Sequence, residues 1–145
     1  MKMTYAEIQS RHKVLIAIGQ LALPRKITHA ISRNIVRLEK EIKIMNEQRA
    51  DIADRYAKKD ENGQFATEQV GDNINYTFES DEKLEAYKDE INDLNETEVD
   101  VDIMMFKDTE LDKCENERYS MLTAVQEASI EWMVDYGEEE TEPAS

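Results

Sequence analysis

The sequence predicts a helix-dominated α+β fold: a long antiparallel helix pair, flanking helices, and a small antiparallel β-sheet. Three observations carry that reading. The apolar positions Ile35, Leu38, Ile42, Met45, Ile52 and Tyr56 follow a 3-4 heptad stepping, with Arg49 standing in the seam, which is the spacing of a helical stripe. Leu84, Tyr87, Ile91 and Leu94 repeat the same stepping. Two stretches instead alternate with period two, Ile74/Tyr76/Phe78 and Val99/Val101/Ile103, as half-buried strands do. Only 4 Gly and 2 Pro occur in 145 residues, so little interrupts helix. One domain is expected over residues 1–137, with residues 138–145 as a disordered acidic tail.

The elements follow in order. Thr4 and Glu7 have capping-box spacing and open a first helix. Its apolar positions Tyr5, Ile8, Leu15, Ile16, Ile18 and Leu21 wrap most of its circumference, and Leu23-Pro24 is expected to end it. The long helix runs from Arg25 to about Lys58. Asn62-Gly63 marks a turn. A hairpin over 64–78 turns at Gly71-Asp72-Asn73, and because two strands are marginal alone it must dock on helices. Ser80 caps the next helix, which packs antiparallel on the long one. The Val99–Ile103 strand is expected to join the hairpin, since an unpaired strand leaves its backbone groups unsatisfied. A last helix is expected from about Asn116 to Tyr136, stopped at Gly137.

Charge is distributed unevenly. Residues 1–78 hold 13 Lys/Arg against 10 Asp/Glu, and residues 79–145 hold 5 against 23, giving the net −15. Such a surplus favours solubility and repels nucleic acid, so no direct nucleic-acid binding is expected. The longest apolar run, Val14–Ile18, is too short to span a bilayer. No stretch reads as a signal peptide. A lone cysteine, Cys114, allows no intrachain disulfide, and a soluble protein of a reducing cytoplasm is expected.

Catalytic and metal chemistry find little support. His12 and His29 fall on different helices, and Cys114 has no cysteine neighbour, so a four-ligand zinc site is not expected. Asp100 and Asp102 share a strand face and with Asp108 or Glu110 offer oxygen ligands. A solvated strand face explains the same residues. No Gly-x-Ser-x-Gly or phosphate-binding glycine loop occurs. No enzyme activity and no cofactor is expected. Arg49 is expected to lay its stem on the seam and send its head to water or a carboxylate; a registry device or partner contact is the alternative. The basic residues Arg25, Lys26, Arg33 and Arg37 are expected to pair with the chain's own carboxylates. Partner-binding candidates are the apolar Trp132, Met133 and Tyr136, whose helical spacing also suits core packing, and the carboxylates Glu98, Asp100 and Asp102.

The stretches LALPRKITHAISRNIVRLEKE (21–41), RYAKKDENGQ (55–64) and LNETEVDVDI (94–103), in this order, resemble a family of small uncharacterised proteins of tailed phages and prophages of Gram-positive bacteria. The resemblance covers most of residues 15–106 and transfers no catalytic residue. It implies a phage accessory protein in the host-cell cytoplasm during infection. With the lack of catalytic motifs, the leading expectation is a non-enzymatic protein that binds another protein of host or phage origin, inhibiting a host factor or defence component. Two alternatives stand beside it: an acidic nucleic-acid mimic blocking a DNA- or RNA-binding protein, and a virion structural or assembly protein that self-associates through the long helix.

Overall fold

A computed structural model of the chain describes residues 1–137. It is helix-dominated α+β, with one long helix, flanking helices and small sheets. The segment 138–145, expected as an acidic tail, lies outside the described residues.

Strand β1 (Lys2–Thr4) leads into α1 (Tyr5–Ile18). Thr4 Oγ1 accepts from the Glu7 N–H at 3.1 Å, and a Glu7 carboxylate oxygen accepts from the Thr4 N–H at 2.9 Å. The expected capping box therefore forms. The helix stops five residues before the expected Leu23. Gly19, a weak helix former, takes the cap. The following N–H groups then close tighter turns, Gln20 on Ala17 and Leu21 on Ile18.

The long helix α2 (Arg25–Tyr56) has 32 residues, about 48 Å at ~1.5 Å per residue. Pro24 precedes its first turn, where a missing N–H costs nothing. Two shorter helices cover it in succession. His12 Nε2 lies 3.2 Å from Glu39 Oε2, and Gly19 packs near Ile31, so α1 runs antiparallel along its first half. Helix α3 (Asp81–Glu96) is capped by Ser80. Its register is set by Arg49 Nη2 donating to Asn95 Oδ1 at 3.1 Å and by the Arg55–Glu90 ion pair at 2.8 Å. The helices are antiparallel as expected, but the Arg49–Asn95 and Arg55–Glu90 contacts lay only the C-terminal half of α3 along the last turns of α2, which ends at Tyr56. The upper seam at Ile35 and Leu38 therefore packs beneath α1 rather than α3. The stem of Arg49 is partly buried and its head meets an amide, not a carboxylate; its Nε is buried without a partner among the described residues.

The sheet expectation needs correction. Among the described residues three two-stranded sheets form instead of one. β2 (Thr67–Val70) and β3 (Asn73–Tyr76) make the expected antiparallel hairpin, with Gly71 at φ +63° in its turn, a region costly for other residues. Its eight strand residues are all exposed rather than half-buried. β4 (Glu98–Asp100) pairs antiparallel with β1, not with the hairpin. The cause is directional: α3 carries the chain about 24 Å from the hairpin before β4 begins. There the Tyr5 N–H donates to Thr97 O, seating the N-terminal strand alongside. β5 (Phe106–Lys107) pairs in parallel with β6 (Val134–Asp135).

The expected helix over 116–136 is also corrected. Only α5 (Ala124–Ser129) is helical, after the short α4 (Thr109–Asp112) and a 3-10 turn at Lys113–Glu115. Ser120 is held against the connection between α1 and α2, its N–H donating to Ala22 O at 2.7 Å and its Oγ accepting from the Ala22 N–H at 3.2 Å. A second capping box, Thr123 with Gln126, then fixes where helix can start. The chain next turns through Glu131–Met133 into β6.

The core joins Met3, Ile8 and Leu15 to Ile27, Leu38 and Met45 of α2 and to Ile130 and Met133 near the C-terminus, all fully buried. Asn34 is fully buried among them. It holds the irregular segment after β4 by two bonds: Nδ2 donates to Met104 O at 2.9 Å, and Oδ1 accepts from the Met104 N–H at 2.8 Å.

Candidate functional site

The apolar residues expected as one anchor separate in the fold. Met133 is fully buried, its sulfur 3.8 Å from Asn34 Nδ2, so it belongs to the core. Trp132 is half-buried: its indole N–H donates to Ser129 O at 3.0 Å, and the Arg11 guanidinium covers its ring at 4.8 Å from the centroid. Tyr136 stays on the surface, 40% exposed. The lost helix explains the separation, because a 3-10 turn and a strand point neighbouring side chains in different directions.

The acidic candidates Glu98, Asp100 and Asp102 are all exposed. The strand holding them is shorter than expected, ending at Asp100. The N-terminal ammonium donates to Asp100 Oδ1 at 2.8 Å and holds that carboxyl below its ordinary value, by the hydrogen bond first and the charge second. Arg37 Nη1 donates to the main-chain oxygen of Asp102 at 3.1 Å. Glu110 is buried and receives both bonds of Lys113 Nζ, at 3.0 and 3.1 Å. Among the described residues no three His, Cys, Asp or Glu side chains converge as a metal site. Cys114 is buried, and burial, helped by Glu127, pushes its thiol pKa up.

The most developed surface is one the sequence reading did not single out. Four aromatic rings form a chain where the hairpin meets α3. Phe65 and Tyr76 have centroids 4.8 Å apart, Tyr76 meets Tyr87 edge-on at 6.3 Å, and Phe78 lies 5.1 Å from Tyr87. Beside them runs an open cleft of about 770 Å³ between β3 and the first turns of α3, with Tyr76, Phe78, Leu84 and Tyr87 in its lining. Burial first and the neighbouring Tyr76 second raise the Tyr87 phenol pKa above its ordinary value. Ile74 is 72% exposed and Val70 55%. Glu68, Glu79, Asp81 and Lys88 edge the cleft.

Local sequence places each ring. The alternation of Ile74, Tyr76 and Phe78 sends these side chains to one side of their strand. Lys58 and Ala66 fix the hairpin to the end of α2, the Lys58 N–H donating to Thr77 O at 2.8 Å and the Ala66 N–H to Lys58 O at 2.9 Å. Among the described residues each strand of this hairpin also has one edge without a strand partner, and such edges accept extended peptides. The alternation was legible in sequence as a half-buried strand of a hairpin docked on the helices, but the cleft beside it was not. No helix among the described residues is long and apolar enough to cross a membrane. Compared with protein-family models, with curated proteins and with solved structures, the chain finds no match.

Proposed function

We propose that this chain is a non-enzymatic accessory protein that acts by binding another protein at the hairpin–α3 cleft. One observation carries the reading: a row of aromatic rings lies beside a hairpin whose large apolar residues Val70 and Ile74 face solvent. Contiguous apolar surface of this kind marks interaction sites. Tyrosine and its aromatic neighbours supply large contact area at low conformational cost. The partner would present an extended segment to the free edge of β3 and seat an apolar side chain among Tyr76, Phe78 and Tyr87. The phage resemblance sets the context: a partner among host factors or defence components of an infected cell. A second reading, the acidic mimic, draws support from Glu98 and Asp102, whose carboxylates are exposed and make no ion pair among the described residues.

The test is affinity purification from infected cells with wild-type protein and with Ile74→Asp and Tyr76→Ala variants, followed by binding of the purified partner. A partner retained by the wild type and lost from both folded variants is expected. Equal retention by all three proteins would overturn the cleft as the binding site.

A further inference from the structure

Helix α2 carries its basic residues in a row. Lys26, His29, Arg33, Arg37 and Lys40 recur at 3-4-4-3 spacing, which keeps them on one side of a helix over about 21 Å. Arg25, Lys26, Arg33 and Arg37 were expected to pair with the chain's own carboxylates. Arg37 instead reaches a main-chain oxygen. Arg25, Lys26, His29, Arg33 and Lys40 take part in no ion pair or side-chain hydrogen bond among the described residues. Unneutralised cations gathered on a molecule of net charge −15 make a local field opposite to the surroundings.

The first turns of this row form one wall of a groove of about 490 Å³. Arg25, Lys26 and His29 stand on that wall, and Lys107 on the other. Between them lie Met104, Met105 and Phe106, with Met105 44% exposed. The groove is held open by the fold. Asn34 clamps Met104 from below, and β6 pins Phe106 and Lys107 through the parallel ladder. The one carboxylate that lines it among the described residues, Glu110, is occupied by Lys113. Methionine floors adapt to varied apolar side chains.

We propose that this groove docks an acidic segment of a partner protein, carrying an apolar side chain that seats on Met105 between Lys26 and Lys107. Charge complementarity selects the occupant: acids meet the cationic walls, and the apolar residue meets the methionine floor. A peptide brings its charge only over the groove. A nucleic acid extends its charge, roughly one per 1.7 Å of duplex, over the acidic remainder of the protein and is repelled there. The site lies near the opposite end of α2 from the aromatic cleft and does not depend on it.

The experiment uses the full chain and a fluorescein-labelled peptide of alternating glutamate and leucine, read by anisotropy at low and physiological ionic strength. Saturable binding is expected, weakened at least about tenfold by Lys26→Glu combined with Lys107→Glu, weakened also by Met105→Ser, and unchanged by Tyr76→Ala. All these side chains are exposed, and circular dichroism checks that each variant is folded. Absence of wild-type binding overturns the proposal. So does equal affinity for an all-glutamate peptide, which removes the apolar floor from the recognition. Displacement of the peptide by a lower concentration of a single-stranded oligonucleotide would instead identify a nucleic-acid surface. Binding that emerges only in a chain lacking residues 138–145 would identify the protein's own acidic end as the occupant.

Discussion

Asn34 does from a helix what a strand residue does in a ladder: it offers Met104 both a donor and an acceptor, from a fully buried position. Removing the amide leaves two backbone groups without partners, so Asn34→Ala should cost about 2–4 kcal/mol in urea unfolding. Asn34→Asp should cost more at neutral pH, because it buries a charge that cannot donate, and should recover stability on acidification as the carboxyl gains a proton. Loss of less than about 1 kcal/mol in Asn34→Ala would show that the clamp contributes little. Cys114 gives a second residue-level expectation. Its pKa is raised above the ordinary 9.0 by burial, so the folded state keeps the proton longer than the unfolded one. That stabilisation is complete below about pH 8.5 and fades as pH rises through the folded-state pKa. Cys114→Ala should flatten this alkaline loss, seen in melting temperatures taken across that range. Asn34 was in fact legible: Ile27, Ile31, Asn34 and Leu38 step 4-3-4, and a polar residue on an apolar stripe needs a buried partner. Nothing in sequence named that partner as Met104, seventy residues away.

At the scale of elements, α2 is one helix with two different lids. The seam was legible as a continuous stripe, and its antiparallel partner was legible from matching stepping. The handover from α1 to α3 was not inferred, although α3's shorter length implies it. The same arithmetic places the hairpin and β4 at opposite ends of α3, so the expected joint sheet conflicted with the antiparallel helix pair from the start. The last helix failed for a different reason. Ser120 gives its main-chain N–H to Ala22, a tertiary contact that overrides local helical spacing, while the Thr123–Gln126 capping box was a local signal for the later start at Ala124. The handover has an energetic consequence. Met45 is fully buried. Ile42, in the same seam, lies at the edge of an open groove with Glu39, Lys43 and Glu47. Met45→Ala should cost about 2–5 kcal/mol, whereas Ile42→Ala should cost about 1 kcal/mol, since only part of its side chain leaves water on folding. Thermal unfolding of both variants checks the ranking, and equal losses would mean that the stripe is covered uniformly along its length.

For the whole molecule, the net charge of −15 works in opposite directions on folding and on association. The compact state holds its carboxylates closer together than the unfolded chain does, and self-repulsion of this kind destabilises it. Salt screens charges beyond about 10 Å at 0.1 M, and so relieves that repulsion. Salt also weakens attractive ion pairs, but among the described residues these are few: the N-terminal ammonium with Asp100, Arg11–Glu7, Arg55–Glu90 and Lys59–Asp54 are partly exposed, and Lys113–Glu110 joins an exposed ammonium to a buried carboxylate. Exposed pairs contribute roughly 0–1 kcal/mol each, and screening removes only part of that. Relief of repulsion among a surplus of fifteen negative charges acts on every surface carboxylate at once and should win. The melting temperature of the protein alone should therefore rise as sodium chloride is added from low ionic strength. Association of the acidic peptide with the Lys26–Lys107 groove should weaken over the same range, while a partner seated on the rings of the hairpin cleft should change little in its dissociation rate. The three responses are separable in one set of samples by thermal denaturation, anisotropy and binding kinetics. A melting temperature that falls with salt would mean that the ion pairs outweigh the repulsion, and would require the acidic residues to be far better paired than their exposure implies.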